Sequence, residues 1–439
     1  MQWQGRCPGC SAWHTLEEQG EPPDATAARA RAAKVVPLGE AAAEPPERAP
    51  TGSREIDRVL GGGVVPGGVV LLGGDPGIGK STLLLQVAAR WIATGRTALY
   101  VAGEESPEQI ALRAARLGRD VQSLPVCTDP DVDAVAAAME ADPPDLVIVD
   151  SIQTLRSSRS TSAAGSVPQL RDVTTRLTDV ARARGIATIL VGHVTRSGAI
   201  AGPRVVEHLV DTVLYLEGEP GTPLRTIRPV KNRFGSTLEV ALLAMGERGL
   251  RDAASDIVAA ITTGAPHGRR AVGVAIGALL EGTRSFPVEV QALAADAAYG
   301  PARLTTNGVD SGRVQMLAAI LERYAGDTVA GQDLYLNIVG GLRLTDPTCD
   351  LAVLASIASS LRRSPLSADV FVAGEVGLTG ELRPVAGLQA RLLGGSRAGF
   401  RHAVVPESGH VDPVEGLTLH RCSRLEEALE RLFDIEPRR

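Results

Sequence analysis

One stretch of the sequence has the residue types and spacing of a phosphate-binding loop. It matches GxxxxGK[ST] and consists of Gly74, Asp75, Pro76, Gly77, Ile78, Gly79, Lys80, Ser81 and Thr82. Glycines let backbone N–H groups wrap phosphate oxygens, and the start of the following helix favours negative charge. Lys80 can reach the β- and γ-phosphates, and Ser81 can hold Mg²⁺. The motif therefore predicts binding of ATP and ADP with Mg²⁺.

Acidic residues at two predicted strand ends could complete a hydrolytic site. Asp150 follows a buried apolar run, where an acid can bind Mg²⁺, usually through water. Glu104 and Glu105 follow another strand, and one of them could orient or deprotonate a water molecule. The alternatives are a turn cap for Asp150 and a solvated, helix-capping pair for the glutamates. His193 ends a further strand and could sense the γ-phosphate, although a lone histidine is more often structural.

The elements that must position these residues alternate in type. Strand-like runs lie at 68–73, 97–102, 145–150, 186–192, 211–217 and 224–230, separated mostly by helical stretches. The first four are apolar through their middles, as strands covered on both faces are. This alternation predicts an α/β core with a mainly parallel sheet over residues 51–253. The mixture of runs that follows predicts an α+β domain over residues 254–439.

The N-terminal part has a different character. Residues 21–50 are rich in Ala, Pro, Glu and Arg, which is typical of a linker. Residues 1–20 contain a single CxxC pair, Cys7 and Cys10. Structural zinc requires four ligands, so this pair alone predicts at most weak zinc binding.

Length and composition exclude several classes of protein. The chain has 439 residues, about three typical ~150-residue domains, and its 44% hydrophobic and 22% charged content is that of a globular protein. No apolar run approaches the ~18 residues of a membrane span, so no membrane partner is expected. The N-terminus lacks a secretory signal, and five scattered cysteines do not form a disulfide scaffold. A cytoplasmic location is expected.

The basic residues are unevenly distributed. Between Arg156 and Val206 lie eight arginines and two acids, a charge of +6, which leaves −12 for the rest of a chain whose net charge is −6. The three lysines of the chain are Lys34, Lys80 and Lys231. A lysine retained in so arginine-rich a sequence is a candidate for a position that arginine cannot fill.

Four segments together resemble bacterial RadA, also called Sms, a family of RecA-like DNA repair ATPases. They are GDPGIGKST (74–82), YVAGEES (100–106), VGHVTRSGAIAGPRVVEHLVD (191–211) and KNRFG (231–235), the last being the signature that separates the family from RecA. The resemblance covers essentially the whole chain. It implies a RecA-like P-loop core followed by a Lon-protease-like domain of ribosomal S5-like fold, assembled as a hexameric ring. It also implies binding of single-stranded DNA and branch migration of strand-exchange intermediates alongside RecA.

The resemblance assigns roles to individual residues. Glu104 matches the catalytic glutamate of RecA-like and DnaB-like ATPases. His193 matches the strand-end residue that couples nucleotide state to a DNA-binding loop. Lys231 and Arg233 look like groups that reach a nucleotide in the neighbouring subunit, as an arginine finger does. The alternative for the KNRFG pentapeptide is a basic turn between strands.

The +6 segment spans the two loops that line the channel in RecA-like rings. Arg156 and Arg159 lie at the start of one loop, and Arg196 and Arg204 flank the other. Such loops suit contact with the DNA backbone without base readout. An aromatic content of 3% argues against a stacking platform for bases. The remaining arginines of the segment are predicted to lie on one helix, as a solvated face.

The C-terminal domain resembles the Lon protease domain but lacks its catalytic lysine. The positions of the Lon serine and lysine match Thr348 and Gln389, and no lysine follows Lys231. A dyad needs a lysine with a lowered pKa to activate the nucleophile. Cys349 is more simply a small residue at a helix start. A scaffold for ring assembly is therefore expected, with a DNA-binding surface as a second expected role.

The CxxC pair resembles the second half of the four-cysteine zinc motif that opens RadA proteins. Its position near Met1 suggests that the natural chain begins upstream. Zinc binding by Cys7 and Cys10 is expected only in such a longer chain. Two rival functions remain at this point: a non-motor regulatory ATPase or scaffold of the KaiC-like kind, and an ATP-dependent protease of the Lon class.

Overall fold

The first part of the structure is a large, mostly parallel sheet with helices on both faces. The computed structural model describes residues 47–118, 121–160, 162–192, 202–218, 222–253, 271–297 and 301–435. Within these residues the first sheet has nine strands: β1 (Val69–Gly74), β2 (Ala98–Ala102), β3 (Val126–Cys127), β4 (Leu146–Asp150), β5 (Ala187–Val191), β6 (Thr212–Glu217), β7 (Leu224–Asn232), β8 (Ala241–Gly246) and β9 (Gly249–Asp252). Their order is β3-β2-β4-β5-β1-β6-β7-β8-β9. The strands from β3 to β6 in this order are parallel, and β7, β8 and β9 are antiparallel additions.

Helices cover both faces of this sheet. They are α1 (Arg54–Leu60), α2 (Lys80–Ala93), α3 (Pro107–Arg116), α4 (Val132–Ala141), α5 (Val167–Arg184) and α6 (Gly202–Glu207). Alternate residues of β1 enter two separate cores. Val70 packs in the core that contains Trp91 of α2. Leu71 packs in the core that contains Leu177 of α5. The strand is therefore apolar throughout, because both of its faces are buried.

The second part is a mixed sheet of seven strands in the order β12-β13-β11-β10-β14-β17-β18 within the described residues. These are β10 (Val274–Glu281), β11 (Arg284–Asp296), β12 (Leu304–Asn307), β13 (Gln332–Ile338), β14 (Val370–Val372), β17 (His402–Pro406) and β18 (Thr418–Cys422), with a separate pair β15 (Glu375–Val376) and β16 (Leu382–Arg383). The helices are α7 (Ser311–Ile320), α8 (Asp350–Arg362), α9 (Leu388–Arg397) and α10 (Leu425–Asp434). Every residue from 350 to 360 of α8 is buried, so α8 lies at the centre of this core.

The two sheets share an apolar core. Leu224 and Leu242 of the first sheet lie in one buried cluster with Leu279 and Phe286 of the second. Beside this cluster, Arg284 Nη1 lies 2.6 Å from Glu55 Oε2 on α1. A second ion pair joins Arg228 of β7 to Glu281 of β10 at 2.6 Å. The contact between the sheets is thus apolar at its centre and charged at its border.

The predicted fold class is confirmed, with a mainly parallel α/β core followed by an α+β region. All six predicted strands are present, as β1, β2, β4, β5, β6 and β7. Residues 48–50, predicted as the end of a linker, pair with the segment that follows α1 through a bridge between Ala49 and Val64. The CxxC segment of residues 1–20 lies outside the described residues.

Candidate functional site

The phosphate-binding loop leaves the end of β1 and enters α2, as the motif requires. Gly74 and Gly77 have φ values of 151° and 76°, which favour glycine. A Cβ atom on Gly74 would lie 2.5 Å from the carbonyl oxygen of Leu216 on β6. A Cβ atom on Gly77 would meet nothing within 4 Å, so open space lies above that part of the loop. Packing selects glycine at the first position, and backbone conformation selects it at the second.

Lys80 lies inside the loop that it would share with a nucleotide. Its side chain is buried, and Nζ donates to the carbonyl oxygens of Gly74 at 2.7 Å and Asp75 at 3.0 Å. Burial lowers the pKa of the Lys80 ammonium, and the nearby carboxylates of Asp150, Asp75 and Glu104 oppose that shift. Lys80 thus lies close enough to Asp150 and Glu104 for their charges to favour its protonated form.

Asp150 is held by a buried tyrosine. It ends β4 beside Ala102 of β2, and its Oδ2 accepts a hydrogen bond of 2.8 Å from the hydroxyl of Tyr100. Tyr100 is 2% exposed. Burial, followed by the charge of Asp150, raises the pKa of Tyr100 well above its usual range. The phenol therefore remains a donor and fixes one carboxylate oxygen of Asp150.

The structure distinguishes the two glutamates that the sequence left open. Glu105 forms an ion pair with Arg113 of α3. Glu104 is exposed, and its Oε1 accepts a hydrogen bond of 2.8 Å from the hydroxyl of Ser151. Ser151 is fully buried and follows Asp150 directly in the chain. Glu104 is thus the glutamate that faces the loop and Asp150, whereas Glu105 is engaged by a helix.

A close approach of two backbones sets the position of Glu104. The N–H of Gly103 donates to the carbonyl oxygen of Asp150 at 2.9 Å. A Cβ atom on Gly103 would lie 1.6 Å from Thr154 Oγ1, so no larger residue fits there. The Thr154 hydroxyl in turn donates to the carbonyl oxygen of Ser151 at 2.7 Å. The two strand ends that carry Glu104 and Asp150 are therefore tied together.

The KNRFG pentapeptide lies at the opposite end of the strands from the phosphate loop. Asn232 of β7 pairs with Thr212 of β6, and Thr212 pairs with Val70 near the start of β1. Gly74, where the loop begins, lies four residues further along β1. At ~3.3 Å per residue this is about 13 Å, so the basic pair cannot reach the loop of its own chain through this sheet.

Buried partners hold the pentapeptide in place. Lys231 Nζ donates to the carbonyl oxygens of Glu207 at 2.9 Å and Val210 at 2.7 Å, beside the end of α6. Burial, with the adjacent charge of Arg233, lowers the pKa of Lys231. Arg233 lies 3.1 Å from Asp211, a buried carboxylate, and more than half of its side chain is exposed. The guanidinium is thus anchored on one side and open on the other.

A β-bulge precedes this basic pair. The pairing of β6 with β7 joins Val213 to Lys231 and Leu214 to Pro229, so Val230 has no partner on β6. Val230 is 55% exposed. Bulges of this kind bend a strand and redirect the side chains beyond them.

The predicted DNA-contacting arginines are placed only in part. Arg156 and Arg159 are exposed, at the start of a segment that we term the arginine loop (157–166). This loop begins seven residues after the end of β4 and precedes α5, which carries four further arginines of the +6 segment. Arg176 of α5 pairs with Asp133 at 3.1 Å and Glu140 at 3.2 Å. Arg204 lies in α6, without a described side chain, and His193, Arg196, Cys7 and Cys10 lie outside the described residues.

Comparison with known proteins gives matches for both parts of the chain. The AAA domain family matches residues 39–199, and the Lon protease (S16) C-terminal proteolytic domain family matches residues 332–433. The chain is 44% identical to the DNA repair protein RadA of Bacillus subtilis (strain 168), over 92% of this chain and 89% of that protein. It is 44% identical to the DNA repair protein RadA of Mycobacterium tuberculosis (strain ATCC 25618 / H37Rv), over 100% of this chain and 92% of that protein.

The chain belongs to the RadA family. The resemblance predicted from its motifs is thereby confirmed, including the Lon-like C-terminal domain. Among solved structures, the crystal structure of the RadB recombinase is similar at 25% identity, with a TM-score of 0.37, over 46% of this chain and 98% of that chain.

In this RadA family member the Lon-like domain has no hydrolytic dyad in its described residues. The hydroxyl of Thr348 donates to Asp346 Oδ1 at 2.5 Å, which makes it part of a turn cap. The side chain of Gln389 accepts a hydrogen bond of 2.8 Å from the backbone N–H of Asp412. Arg391, 1% exposed, forms an ion pair with Asp346 close by. The residues at the two predicted Lon positions thus make structural hydrogen bonds, and a buried arginine pairs with the acid that caps the turn at Thr348.

Cys349 is not an available nucleophile. It is 1% exposed and lies at the N-cap of α8, as expected for a small residue at a helix start. Burial raises the pKa of its thiol to about 12, although the nearby guanidinium of Arg391 opposes this. The thiolate, which is the reactive form, is therefore scarce near neutral pH.

The donor set at the first sheet fits a nucleotide with magnesium, as RadA membership implies. An ammonium group and the N-terminal N–H groups of a 14-residue helix, α2, surround the open space above Gly77. Ser81 and Asp150 supply the hydroxyl and carboxylate oxygens that Mg²⁺ prefers. Over the described ranges no group of three or more His, Cys, Asp or Glu side chains is placed to hold a metal ion. In the same ranges no helix is long and apolar enough to cross a membrane.

Sequence reasoning missed the residues that hold the predicted ones. Tyr100, Ser151 and Asp211 each orient a functional group through a contact with a residue distant in sequence or on another element. Only Tyr100 left a signal, as a phenol in the middle of an otherwise apolar strand. A buried tyrosine hydroxyl usually has a polar partner, and the carboxylate at the end of a neighbouring strand could have been proposed.

Proposed function

We propose that this RadA family member is a DNA-dependent ATPase that acts as a helicase-like motor in recombinational DNA repair. In this proposal it binds single-stranded DNA, forms a hexameric ring and promotes branch migration of RecA strand-exchange intermediates. One observation carries the proposal. The strand that ends in Asp150 at the nucleotide site continues within seven residues into the exposed arginine loop.

The residues of the nucleotide site have separable roles in hydrolysis. Lys80 and the first N–H groups of α2 bind the β- and γ-phosphates. Ser81 and Asp150 would hold Mg²⁺, which would neutralise charge on the phosphates. Tyr100 fixes Asp150. Glu104 orients the attacking water and accepts its proton as the water oxygen bonds to the γ-phosphorus and the bond to ADP breaks.

The contacts around Ser151 offer a route from the nucleotide to DNA. Ser151 bonds Glu104 through its hydroxyl and Thr154 through its carbonyl group. A change in the position of Glu104 on loss of the γ-phosphate would therefore act on the segment that leads to Arg156 and Arg159. Exposed guanidinium groups at that point suit phosphate contacts of single-stranded DNA without base readout.

Completion of the site by a neighbouring subunit accounts for the position of the KNRFG pentapeptide. Lys231 and Arg233 lie at the far end of the strands from the phosphate loop of their own chain. In a ring, that end of one subunit can face the nucleotide of the next, so that hydrolysis depends on assembly.

The first test is steady-state ATP hydrolysis with and without single-stranded DNA. Wild-type protein should be stimulated by DNA, and Lys80→Ala should abolish hydrolysis in both conditions because the phosphate ligand is lost. Hydrolysis by the wild type that is indifferent to DNA would favour the alternative, a regulatory ATPase or scaffold whose output is protein binding.

The second test concerns the arginine loop. Arg159→Ala should weaken binding of an oligo-dT probe and reduce the salt dependence of binding, by about 0.7 in the slope of log K against log salt concentration for each lost phosphate contact. Arg171→Ala, an exposed arginine on α5, removes the same charge outside the loop and serves as the control. Equal losses in the two variants would argue against a specific role for the loop.

The third test mixes two inactive variants. Lys80→Ala retains its Arg233, and Arg233→Ala retains its phosphate loop. In randomly mixed rings about a quarter of the sites combine an intact loop with an intact Arg233 from the next subunit. Partial recovery of ATPase activity on mixing is expected, and its absence would contradict the shared site.

A further inference from the structure

Two helices begin with the same residue pattern but use it differently. Helices α3 and α5 each have serine at the N-cap and glutamine three residues later, in Ser106–Gln109 and Ser166–Gln169. Such a pair ordinarily forms a capping box, in which each side chain bonds the backbone N–H of the other residue. In α3 the box is complete, with hydrogen bonds of 2.9 Å to Gln109 Oε1 and 3.4 Å to Ser106 Oγ.

In α5 the box is not formed by the described residues. The Ser166 hydroxyl is buried and lacks a hydrogen-bond partner there. Gln169, 3% exposed, instead points into the arginine loop. Its Nε2 donates to the carbonyl oxygens of Ser157 at 3.2 Å, Ser160 at 2.8 Å and Ser162 at 3.0 Å. Its Oε1 accepts from the N–H of Ser157 at 2.7 Å.

The start of the loop has a separate attachment. The N–H of Arg156 donates to the carbonyl oxygen of Pro130 at 2.7 Å, and the N–H of Val132 donates to that of Arg156 at 2.9 Å. These backbone bonds fix the chain before the loop begins. Within the loop, the N–H of Arg159 lies 3.3 Å from Ser157 Oγ, so Arg159 is tied to a residue that Gln169 holds. The side chain of Gln169 thus bonds the arginine loop and not the N-terminus of its own helix.

We propose that Gln169 is a positioning residue for DNA binding, whose amide holds the arginine loop in the conformation that presents Arg159 to the backbone of single-stranded DNA. This inference rests on the proposed function, because it takes the loop as a DNA contact. Without the amide the loop must become ordered when DNA binds, and that loss of conformational entropy weakens binding.

The test compares Gln169→Leu and Gln169→Glu with Gln109→Glu. Leucine removes all four hydrogen bonds, and glutamate places acceptor oxygens against three carbonyl oxygens. Gln109→Glu makes the same charge change at the same helix position, where glutamate can still form the capping box. Amide hydrogen exchange of the arginine loop is measured without DNA, and oligo-dT binding and ATP hydrolysis are measured over a range of salt and DNA concentrations.

Both Gln169 variants should exchange loop amides at least about tenfold faster, because several hydrogen bonds of the loop are lost together. The DNA concentration for half-maximal ATPase stimulation should rise about tenfold while hydrolysis without DNA stays within about twofold. The salt slope should remain that of the wild type in Gln169→Leu, since no cation is removed, whereas Arg159→Ala should lower it. Gln109→Glu should behave as the wild type throughout.

The results distinguish failure of the role proposed for Gln169 from failure of the DNA role proposed for the loop. Two outcomes overturn the role of Gln169 and leave the proposed function standing. In the first, the Gln169 variants exchange the amides of the loop at the wild-type rate. In the second, they exchange these amides faster but bind DNA as the wild type does, while Arg159→Ala binds weakly. A wild-type protein that binds no oligo-dT, or an Arg159→Ala variant that binds normally, overturns the DNA role of the loop itself and with it the role of Gln169.

Discussion

Single side chains in this site act through carboxylates that other elements carry. The Tyr100 hydroxyl bonds one carboxylate oxygen of Asp150, and in the proposed mechanism the other oxygen would hold magnesium. A second tyrosine, Tyr215 on β6, makes the same kind of bond to Glu207 at 2.8 Å, with a carboxylate that the proposed mechanism does not use. Comparing the two pairs separates the effect of the Tyr100 hydroxyl on Asp150 from the general effect of removing a tyrosine hydroxyl.

Tyr100→Phe should lower kcat for ATP hydrolysis about tenfold and raise the Mg²⁺ concentration for half-maximal activity. The lost hydrogen bond joins a charged acceptor, for which ~1.5–3 kcal/mol is typical, and 1.4 kcal/mol corresponds to a factor of ten. Steady-state kinetics over a magnesium titration measures both effects. Tyr215→Phe is the comparison because it should leave the Mg²⁺ dependence unchanged, and an equal rise in the Mg²⁺ requirement of both variants would show a general packing effect.

Cys349 should resist alkylation in the folded protein. With a pKa of about 12 its thiolate fraction at pH 8 is roughly one in ten thousand, and burial further blocks the reagent. Among the three cysteines of the described residues, Cys127 is partly exposed and should react with iodoacetamide before Cys349, as peptide mass spectrometry would reveal. Labelling of Cys349 at the rate of Cys127 would mean that the thiol is accessible after all.

At this scale the sequence predicts what is local and misses what is not. The phosphate loop is recognisable because its glycines, lysine and serine are contiguous and lie between a strand and a helix. The Tyr100–Asp150 contact joins positions 50 residues apart, and the Asp211–Val69 contact joins positions 142 apart. Such pairs depend on which strands become neighbours, and that information is not in the local pattern.

At the scale of elements, Asp211 joins β1, α5 and the KNRFG pentapeptide. Its buried carboxylate accepts from the N–H of Val69 on β1 at 3.1 Å, from Arg182 of α5 at 3.0 Å and from Arg233 at 3.1 Å. One residue at the start of β6 thus connects the strand that precedes the phosphate loop to the KNRFG pentapeptide.

Asp211→Asn should lower the free energy of unfolding by about 1–3 kcal/mol, because two arginines lose a charged acceptor in a buried position. It should also reduce ATP hydrolysis, since Arg233 loses its anchor. Chemical denaturation and steady-state kinetics measure the two effects. Asp179→Asn, at an exposed position of α5, should change neither, and a stability of Asp211→Asn equal to that of the wild type would contradict the arrangement.

The strands themselves were predictable where they are apolar and bounded by turns. The sequence analysis missed β3, which has two residues, and the antiparallel pair β8 and β9. β3 is too short to show any period. β8 and β9 extend the sheet beyond its parallel part, where alternation of strands with helices no longer identifies them.

At the scale of the whole molecule, the two sheets are expected to unfold together. Leu224 and Leu242 of the first sheet are buried against Leu279 and Phe286 of the second, so separating the domains would expose apolar surface. Thermal unfolding of the full chain should show one transition for the ATPase and Lon-like domains. Two well-resolved transitions would indicate independent domains.

The Glu55–Arg284 pair across this contact should contribute more than a surface pair. A double-mutant cycle with alanine at both positions is expected to give a coupling energy of about 1–3 kcal/mol, because Glu55 is buried and also accepts from the N–H of Leu242. The more exposed Arg383–Glu381 pair, at 2.7 Å within the second domain, should give less than about 1 kcal/mol. Equal coupling energies for the two ion pairs would mean that the apolar centre, and not the Glu55–Arg284 pair, provides most of the stability of the contact between the sheets.

The bulge at Val230 makes chain length in β7 as important as side-chain identity. Side chains of a strand alternate between its two faces, so removing one residue ahead of Lys231 would turn Lys231 and Arg233 to the other face while leaving every letter of KNRFG intact. The proposed role of the pentapeptide therefore requires the strand register that the bulge sets. Some related sequences could retain KNRFG but have one residue more or fewer between β6 and the pentapeptide. We expect these sequences to carry a compensating change of register in the turn that joins β6 to β7.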